Sequence, residues 1–93
     1  MRVYVVCWGS ASADDRGAVS TFTNVHGVYQ FLEDAKTGLV ECKNEFINEI
    51  VKDHDAAACQ VYGSVNDDYF EIDYPSGDTV SEIHIELVIK ELN

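Results

Sequence analysis

The sequence predicts an α+β fold in which an antiparallel β-sheet of four to five strands carries two helices on one face. Two hydrophobic periodicities predict it, because segments with a period of two are typical of strands and segments with apolar residues three and four positions apart are typical of helices. The third observation is size, since 93 residues with a hydrophobic content of 46% support one core and not two. We therefore expect residues 1–93 to form a single compact domain.

The first half of the chain is predicted to begin with a strand and to continue with a helix. Arg2–Trp8 is rich in Val, Tyr and Trp, which favour a pleated sheet, and Gly9 ends the run. We expect this strand to be central and residues 19–23 to return beside it as a hairpin. Apolar residues at helical spacing then follow Asn24, a good N-cap, and stop at Gly38, so this segment predicts the first helix.

A second helix is predicted after Gly38 and is expected to end near His54. Its apolar residues recur at intervals of three and four, with charged and amide side chains between them. They are Leu39, Cys42, Phe46, Ile47, Ile50 and Val51. This spacing is typical of a helix that buries one side and leaves the other in solvent.

Three further strands complete the predicted sheet. Residues 57–65 and 69–74 alternate apolar and polar side chains, and residues 75–78 have the composition of a turn. Residues 79–92 also alternate, and a period of two with four β-branched residues within residues 83–89 favours a long strand. A helix is the alternative for this last segment, because Thr79–Glu82 matches a capping box.

The chain is strongly acidic, with 17 Asp and Glu against six Lys and Arg and a net charge of −11. Such a charge repels a phosphate backbone or an anionic membrane surface, so direct binding to nucleic acid or to a membrane is excluded. The excess is uneven, because residues 48–93 contain eleven acids and two bases. Between Lys52 and Lys90 there is no Lys or Arg, and the carboxylates there lack local compensation.

The sequence predicts a cytoplasmic protein with an unprocessed N-terminus. Its first apolar run has about six residues, whereas a signal-peptide core needs roughly seven to fifteen and a membrane span roughly 18 to 20. The three cysteines, Cys7, Cys42 and Cys59, show no C-x-x-C spacing. Free thiols in a reducing compartment fit this pattern best.

An acidic surface is predicted on the last two strands. If they pair through the turn, alternation places one set of polar side chains on a shared face, namely Glu71, Asp73, Glu82, His84 and Glu86. Like charges opposed across strands are destabilising, so we expect the sequence to keep them for a basic partner. A merely solvated acidic face is the alternative. The predicted partner-binding residues are Asp67, Asp68, Tyr69, Glu71, Asp73, Glu82 and Glu86, with Tyr69 as an aromatic anchor.

No catalytic residues, metal site or cofactor are predicted. Asp53-His54-Asp55 and His84-Ile85-Glu86 each place an imidazole near carboxylates, but neither supplies the three or four convergent ligands that a tight metal site needs. Cys7 and His26 are the best candidates for a nucleophile and its base, yet no third residue orients the base. We therefore expect a protein that is not an enzyme, with a small metal- or ligand-binding enzyme as the alternative.

In size and charge, a compact acidic α+β domain without catalytic residues resembles the small inhibitors that phages use against host nucleases, including anti-CRISPR and anti-restriction proteins. The resemblance implies that carboxylates occupy a channel lined by Lys and Arg that otherwise holds DNA or RNA, or that the inhibitor blocks its target sterically. The expected partner is thus a basic surface of a nucleic-acid-processing effector. Two alternatives stay open: an immunity protein against a basic nuclease toxin, and a homodimer formed through the edge of the long terminal strand.

Overall fold

The described part of a computed structural model comprises residues 1–12, 24–53, 58–77 and 79–92. Its elements are β1 (Arg2–Ser12), β2 (Asn24–Tyr29), α1 (Leu32–Asp53), β3 (Gln60–Ser64), a 3₁₀ turn (Val65–Asp67), β4 (Tyr69–Ser76) and β5 (Thr79–Glu91). The five strands form one sheet in the order β2-β1-β5-β4-β3, and every neighbouring pair is antiparallel. The predicted α+β class and antiparallel sheet are confirmed.

The centre of the sheet is β5, which pairs with β1 on one side and with β4 on the other. The strand interpretation of the last segment is therefore confirmed, and its capping-box pattern does not produce a helix. β1 is an interior strand beside β5, not the central one. β1 pairs with Ser81–Glu91 of β5, whereas β4 pairs only with Thr79–Glu86, so a homodimer through the edge of this strand stays a prediction. The edges of the described sheet are β2 and β3.

One face of the sheet is covered by α1. Most of the predicted apolar side of the helix is buried, since Leu39, Cys42 and Ile50 are buried and the ring of Phe46 meets that of Trp8 edge-on at 4.7 Å between centroids. Val51, which was predicted on the same side, is exposed. From the sheet, alternate residues complete the core, namely Val6, Phe70, Ile72, Ile83, Ile85 and Leu87. The residues between them lie on the opposite face, which we call the open face because no described helix packs on it.

The prediction of two helices is wrong, because the described residues contain one. Asn24–Tyr29, expected to begin the first helix, is β2 and pairs with β1. The register shifts at a bulge that leaves His26 without a directly opposed residue, with Val25 opposite Cys7 and Val28 opposite Val5. A bulge adds one residue to a strand, so Val25 and Val28 share a face at a spacing of three, the spacing that predicted a helix.

The helix continues through Gly38, where the sequence predicted its end. Gly38 is buried, and a Cβ atom there would collide with the ring and hydroxyl of Tyr29. The same ring covers Gly27 in β2, where a Cβ atom would lie 2.6 Å from the Tyr29 hydroxyl oxygen. Gly38 thus permits the close approach of strand and helix and does not cap the helix. Tyr29 fills the space between the two glycines.

β4 extends through the first half of the predicted turn. Ser76 pairs with Thr79 and Pro75 with Val80, so pairing continues into residues 75–78. Gly77 has a φ of 64°, which two-residue hairpin loops favour. The predicted hairpin strand at residues 19–23 and the predicted helix end near His54 lie outside the described residues. None of the described helical structure has the length and apolarity that crossing a membrane requires.

Gly38→Ala is expected to destabilise the fold by about 1–3 kcal/mol, because the added methyl group overpacks the contact with Tyr29. Elsewhere in a helix the same change stabilises by about 1 kcal/mol. Urea unfolding of four proteins checks this: wild type, Gly38→Ala, Tyr29→Ala and the double variant. In the Tyr29→Ala background, Gly38→Ala is expected to be neutral or stabilising. Equal destabilisation in both backgrounds would contradict the role assigned to the Tyr29 ring.

Candidate functional site: an acidic cluster on the open face

The pairing of β4 with β5 brings six predicted polar side chains together. The directly opposed pairs are Tyr69 and Glu86, Glu71 and His84, and Asp73 and Glu82. We call these six residues the open-face cluster. Between them, Phe70, Ile72 and Ile83 are buried beneath the helix, so alternation turns the six polar side chains away from the core. The shared acidic face predicted from the sequence is therefore present in the structure.

His84 lies in the middle of the cluster. Its Nδ1 atom is 2.5 Å from the Tyr69 hydroxyl oxygen and 3.4 Å from Glu71 Oε1, and its Nε2 atom is 3.7 Å from Glu82 Oε1. The Tyr69 hydroxyl also donates to Glu71 Oε1 at 3.2 Å. His84 is largely buried, with 18% of its side chain exposed. It therefore links the two strands and is the basic group among the six.

Asp73 is the carboxylate whose ionisation is most affected by the cluster. Burial, the hydrogen bond and charge of Glu71, and the charge of Glu82 together raise the pKa of Asp73 to about 7. Its Oδ1 atom is buried and has no hydrogen-bond partner in the structure. Burial and the neighbouring Glu71 also raise the pKa of Tyr69 to about 12. The Tyr69 hydroxyl thus stays protonated at neutral pH, while Asp73 is poised between its two forms.

Three members of the cluster form a potential cation-binding group. Glu71, Glu82 and His84 each offer one ligand atom, and these atoms lie within 4.8 Å of one another. Alternation along β5 alone pairs His84 with Glu86 and supplies only two ligands. The structure instead places Glu86 opposite Tyr69 and supplies Glu71 from β4. No local spacing indicates this third ligand, because it depends on the register between two strands.

Two of the predicted partner-binding residues, Asp67 and Asp68, do not join the cluster. The Asp67 carboxylate accepts a hydrogen bond from the Ser64 hydroxyl at 3.0 Å, and its backbone N–H donates to Ser64 Oγ at 3.3 Å. Asp68 has a φ of 56°, and its carboxylate lies 3.6 Å from Lys36 Nζ of α1. Both therefore make contacts that organise the turn before β4. The other five predicted residues lie together on the open face.

Cys7 and His26 do not form a nucleophile and base. The Cys7 thiol donates to the backbone carbonyl of Glu86 at 3.6 Å, and burial raises the pKa of Cys7. His26 Nδ1 lies instead 3.9 Å from Glu45 Oε2 of the helix. A thiol with a raised pKa is protonated at neutral pH and is a poor nucleophile.

No protein-family model matches the chain, and neither a curated protein nor a solved structure shows significant similarity to it. The function is therefore inferred from the chemistry and geometry of the open-face cluster.

Asp73→Asn is expected to flatten the pH dependence of stability between pH 4 and 8. The folded-state pKa of Asp73 is about 7, above the value of about 3.9 for an unfolded chain. The protonated Asp73 carboxyl thus stabilises the folded state fully below its unfolded pKa, and this stabilisation is lost as pH rises through about 7. Asparagine removes this loss, so the variant should exceed the wild type in stability at pH 8.

Urea midpoints across this pH range measure the effect, with Glu41→Gln as a control that removes one exposed helix charge. If the Asp73→Asn and Glu41→Gln curves run parallel to each other, Asp73 is not the titrating group.

Proposed function

We propose that the protein is a small acidic inhibitor that binds the basic, nucleic-acid-binding surface of a nuclease or related nucleic-acid-processing effector. The supporting observation is the pairing of β4 with β5, which holds four carboxylates on one open face: Glu71, Asp73, Glu82 and Glu86. Side chains two apart on a strand are about 6.6 Å apart and neighbouring strands about 4.8 Å apart, so the sheet presents a rigid array of negative charge. The nearest Lys on this face of β5 is Lys90, opposite Val3.

The electrostatics of the cluster favour a cationic partner. Burial of Asp73, followed by the hydrogen bond and charge of Glu71 and the charge of Glu82, raises the pKa of Asp73 and opposes full ionisation of the cluster in the free protein. Lys or Arg side chains placed against this face would relieve the repulsion and favour the ionised carboxyl. Binding would then release a proton near neutral pH, and affinity would rise as pH increases through about 7. Opposite charge would also steer the two proteins together and speed association.

An inhibitor of this kind fits two biological settings. One is a phage-type anti-CRISPR or anti-restriction protein, which acts against a host defence nuclease by nucleic-acid mimicry or by steric block. The other is an immunity protein that neutralises a basic nuclease toxin. The acidic face serves both in the same way, and we favour the first because of the resemblance in size and charge. The identity of the bound effector separates them.

Neutralising the open face is expected to reduce partner affinity about 100-fold or more, because it removes the charges that would pair with Lys and Arg. The variant carries Glu71→Gln, Asp73→Asn, Glu82→Gln and Glu86→Gln. Its matched control carries Glu41→Gln, Glu45→Gln, Glu49→Gln and Asp53→Asn, which remove the same number and type of charges from exposed helix positions. Both are used as baits beside the wild type in host lysate, and captured proteins are identified by mass spectrometry.

The expected capture is a basic nucleic-acid-processing effector on the wild type and the helix control, and not on the open-face variant. Double-stranded DNA or RNA should displace it from the wild type, and affinity should fall as salt rises, since charges are screened over about 8 to 10 Å near physiological ionic strength. Identical capture on all three baits, or no basic protein on any, would contradict the inhibitor and leave the acidic face as a solvated surface.

A second candidate function, binding of a divalent cation, is favoured by the approach of Glu71, Glu82 and His84 to within 4.8 Å. Carboxylate oxygens and an imidazole nitrogen are ligands of Zn²⁺ and related ions. Titration with Zn²⁺ by calorimetry should then show one site in the wild type, lost in His84→Gln and retained in His26→Gln. Equal binding to the two variants would show nonspecific association with an acidic surface.

A further inference from the structure

The outer edge of β3 is a second feature of the acidic side of the sheet. β3 ends the strand order, and no strand in the described part of the chain pairs with its outer side. Its sequence, Gln-Val-Tyr-Gly-Ser, carries no charge, and Val61 and Tyr62 are 45% and 48% exposed. Edge strands present unpaired backbone N–H and C=O groups to which an extended chain can hydrogen-bond. Charged residues and proline, which protect many natural edges, are absent from this strand.

The two edges of the sheet differ in ways that favour β3 as the docking edge. β3 pairs with β4 over five residues without a register shift, although Gly63 within it has a φ of 89°. The register of β2 is interrupted by the bulge at His26. Bulges twist an edge and disrupt the regular array that a new strand needs. The neighbour of β3 is β4, which carries Tyr69, Glu71 and Asp73 on its open face. The neighbour of β2 is β1, whose open-face residues Val5 and Cys7 are uncharged.

We propose that an extended basic segment of the partner adds to the outer edge of β3 as a further strand, with Lys or Arg at alternate positions. This inference rests on the proposed function and specifies how the basic partner reaches the acidic face. An added strand would lie about 10 Å from β4, two strand spacings away. Every second side chain would fall on the open face and could extend across β3 towards the carboxylates.

The side chains of β3 suit such a crossing. Tyr62 lies directly opposite Glu71, and Gln60 lies opposite Asp73. Both are uncharged, and the Tyr62 hydroxyl donates to the Gln60 side-chain oxygen, which links the two side chains. A Lys or Arg stem that passes over the exposed Tyr62 ring gains a cation–π contact before its charge meets Glu71. Lys or Arg at alternate positions of the added strand would therefore lie on the same face as the carboxylates of β4.

The test uses a synthetic peptide of about nine residues that alternates Lys and Thr, long enough to span a typical strand. One control has the same composition with its Lys residues in a block. Two further peptides keep the alternating sequence and are N-methylated at either the odd or the even backbone positions. Methylation removes N–H donors from one edge of the peptide while its charge is unchanged. Affinities are measured at low salt, and exchange of the Gln60–Ser64 amide protons is followed by NMR.

Strand addition predicts that the alternating peptide binds about tenfold more tightly than the block peptide and that one methylated peptide loses a similar factor. It also predicts slower exchange for β3 amides and no change for those of β2. Equal affinity of all four peptides, unprotected β3 amides, or absence of binding at millimolar peptide would overturn it. The variant that carries Glu71→Gln, Asp73→Asn, Glu82→Gln and Glu86→Gln separates the two proposals. If this variant binds none of the four peptides, and methylation does not change the affinity of the peptides for the wild type, charge recognition stands and strand addition does not.

Discussion

The register between β4 and β5 determines both the core and the open face. Ile72 and Ile85 are fully buried beneath the helix, and in the sequence each lies between two members of the open-face cluster. A shift of one residue in either strand would move these side chains to solvent and place carboxylates against the helix. Burial of the apolar set therefore forces the carboxylates together on the other side. The repulsion among them is a consequence of the same pairing that forms the core.

Several contacts moderate this repulsion without removing it. The Tyr69 hydroxyl and the His84 ring both contact Glu71. Burial, together with Glu71 and Glu82, raises the pKa of Asp73. A structure that needed only solubility would gain the same charge from carboxylates spread over its surface. Concentration of acids on a central pair of strands is instead suited to a partner that supplies positive charge. This is the physical basis of the proposed inhibitor.

The two faces and the two edges of the sheet have different chemistry. The helix face is apolar and closed by α1, with Tyr29 filling the approach between Gly27 and Gly38. The open face is acidic along β4 and β5 and uncharged along β1. The β3 edge adjoins the acidic region and pairs with β4 in one unbroken register, while the β2 edge is distant from that region and bulged. A partner that binds through backbone hydrogen bonds and through positive charge would find unpaired backbone groups and carboxylates together on the β3 side of the sheet.

The sequence by itself determined the features that depend on local alternation. Period-two patterns predicted β4 and β5, the face of α1 followed from the spacing of Leu39, Cys42 and Ile50, and the shared acidic face followed from alternation across one hairpin. Only the tertiary structure decided the features that depend on distant contacts. A bulge gave Val25 and Val28 a helical spacing within a strand, the Tyr29 ring explains why Gly38 lies inside a helix, and cross-strand register brought Glu71 to His84. Single-sequence patterns describe one element at a time, whereas these features arise where two elements meet.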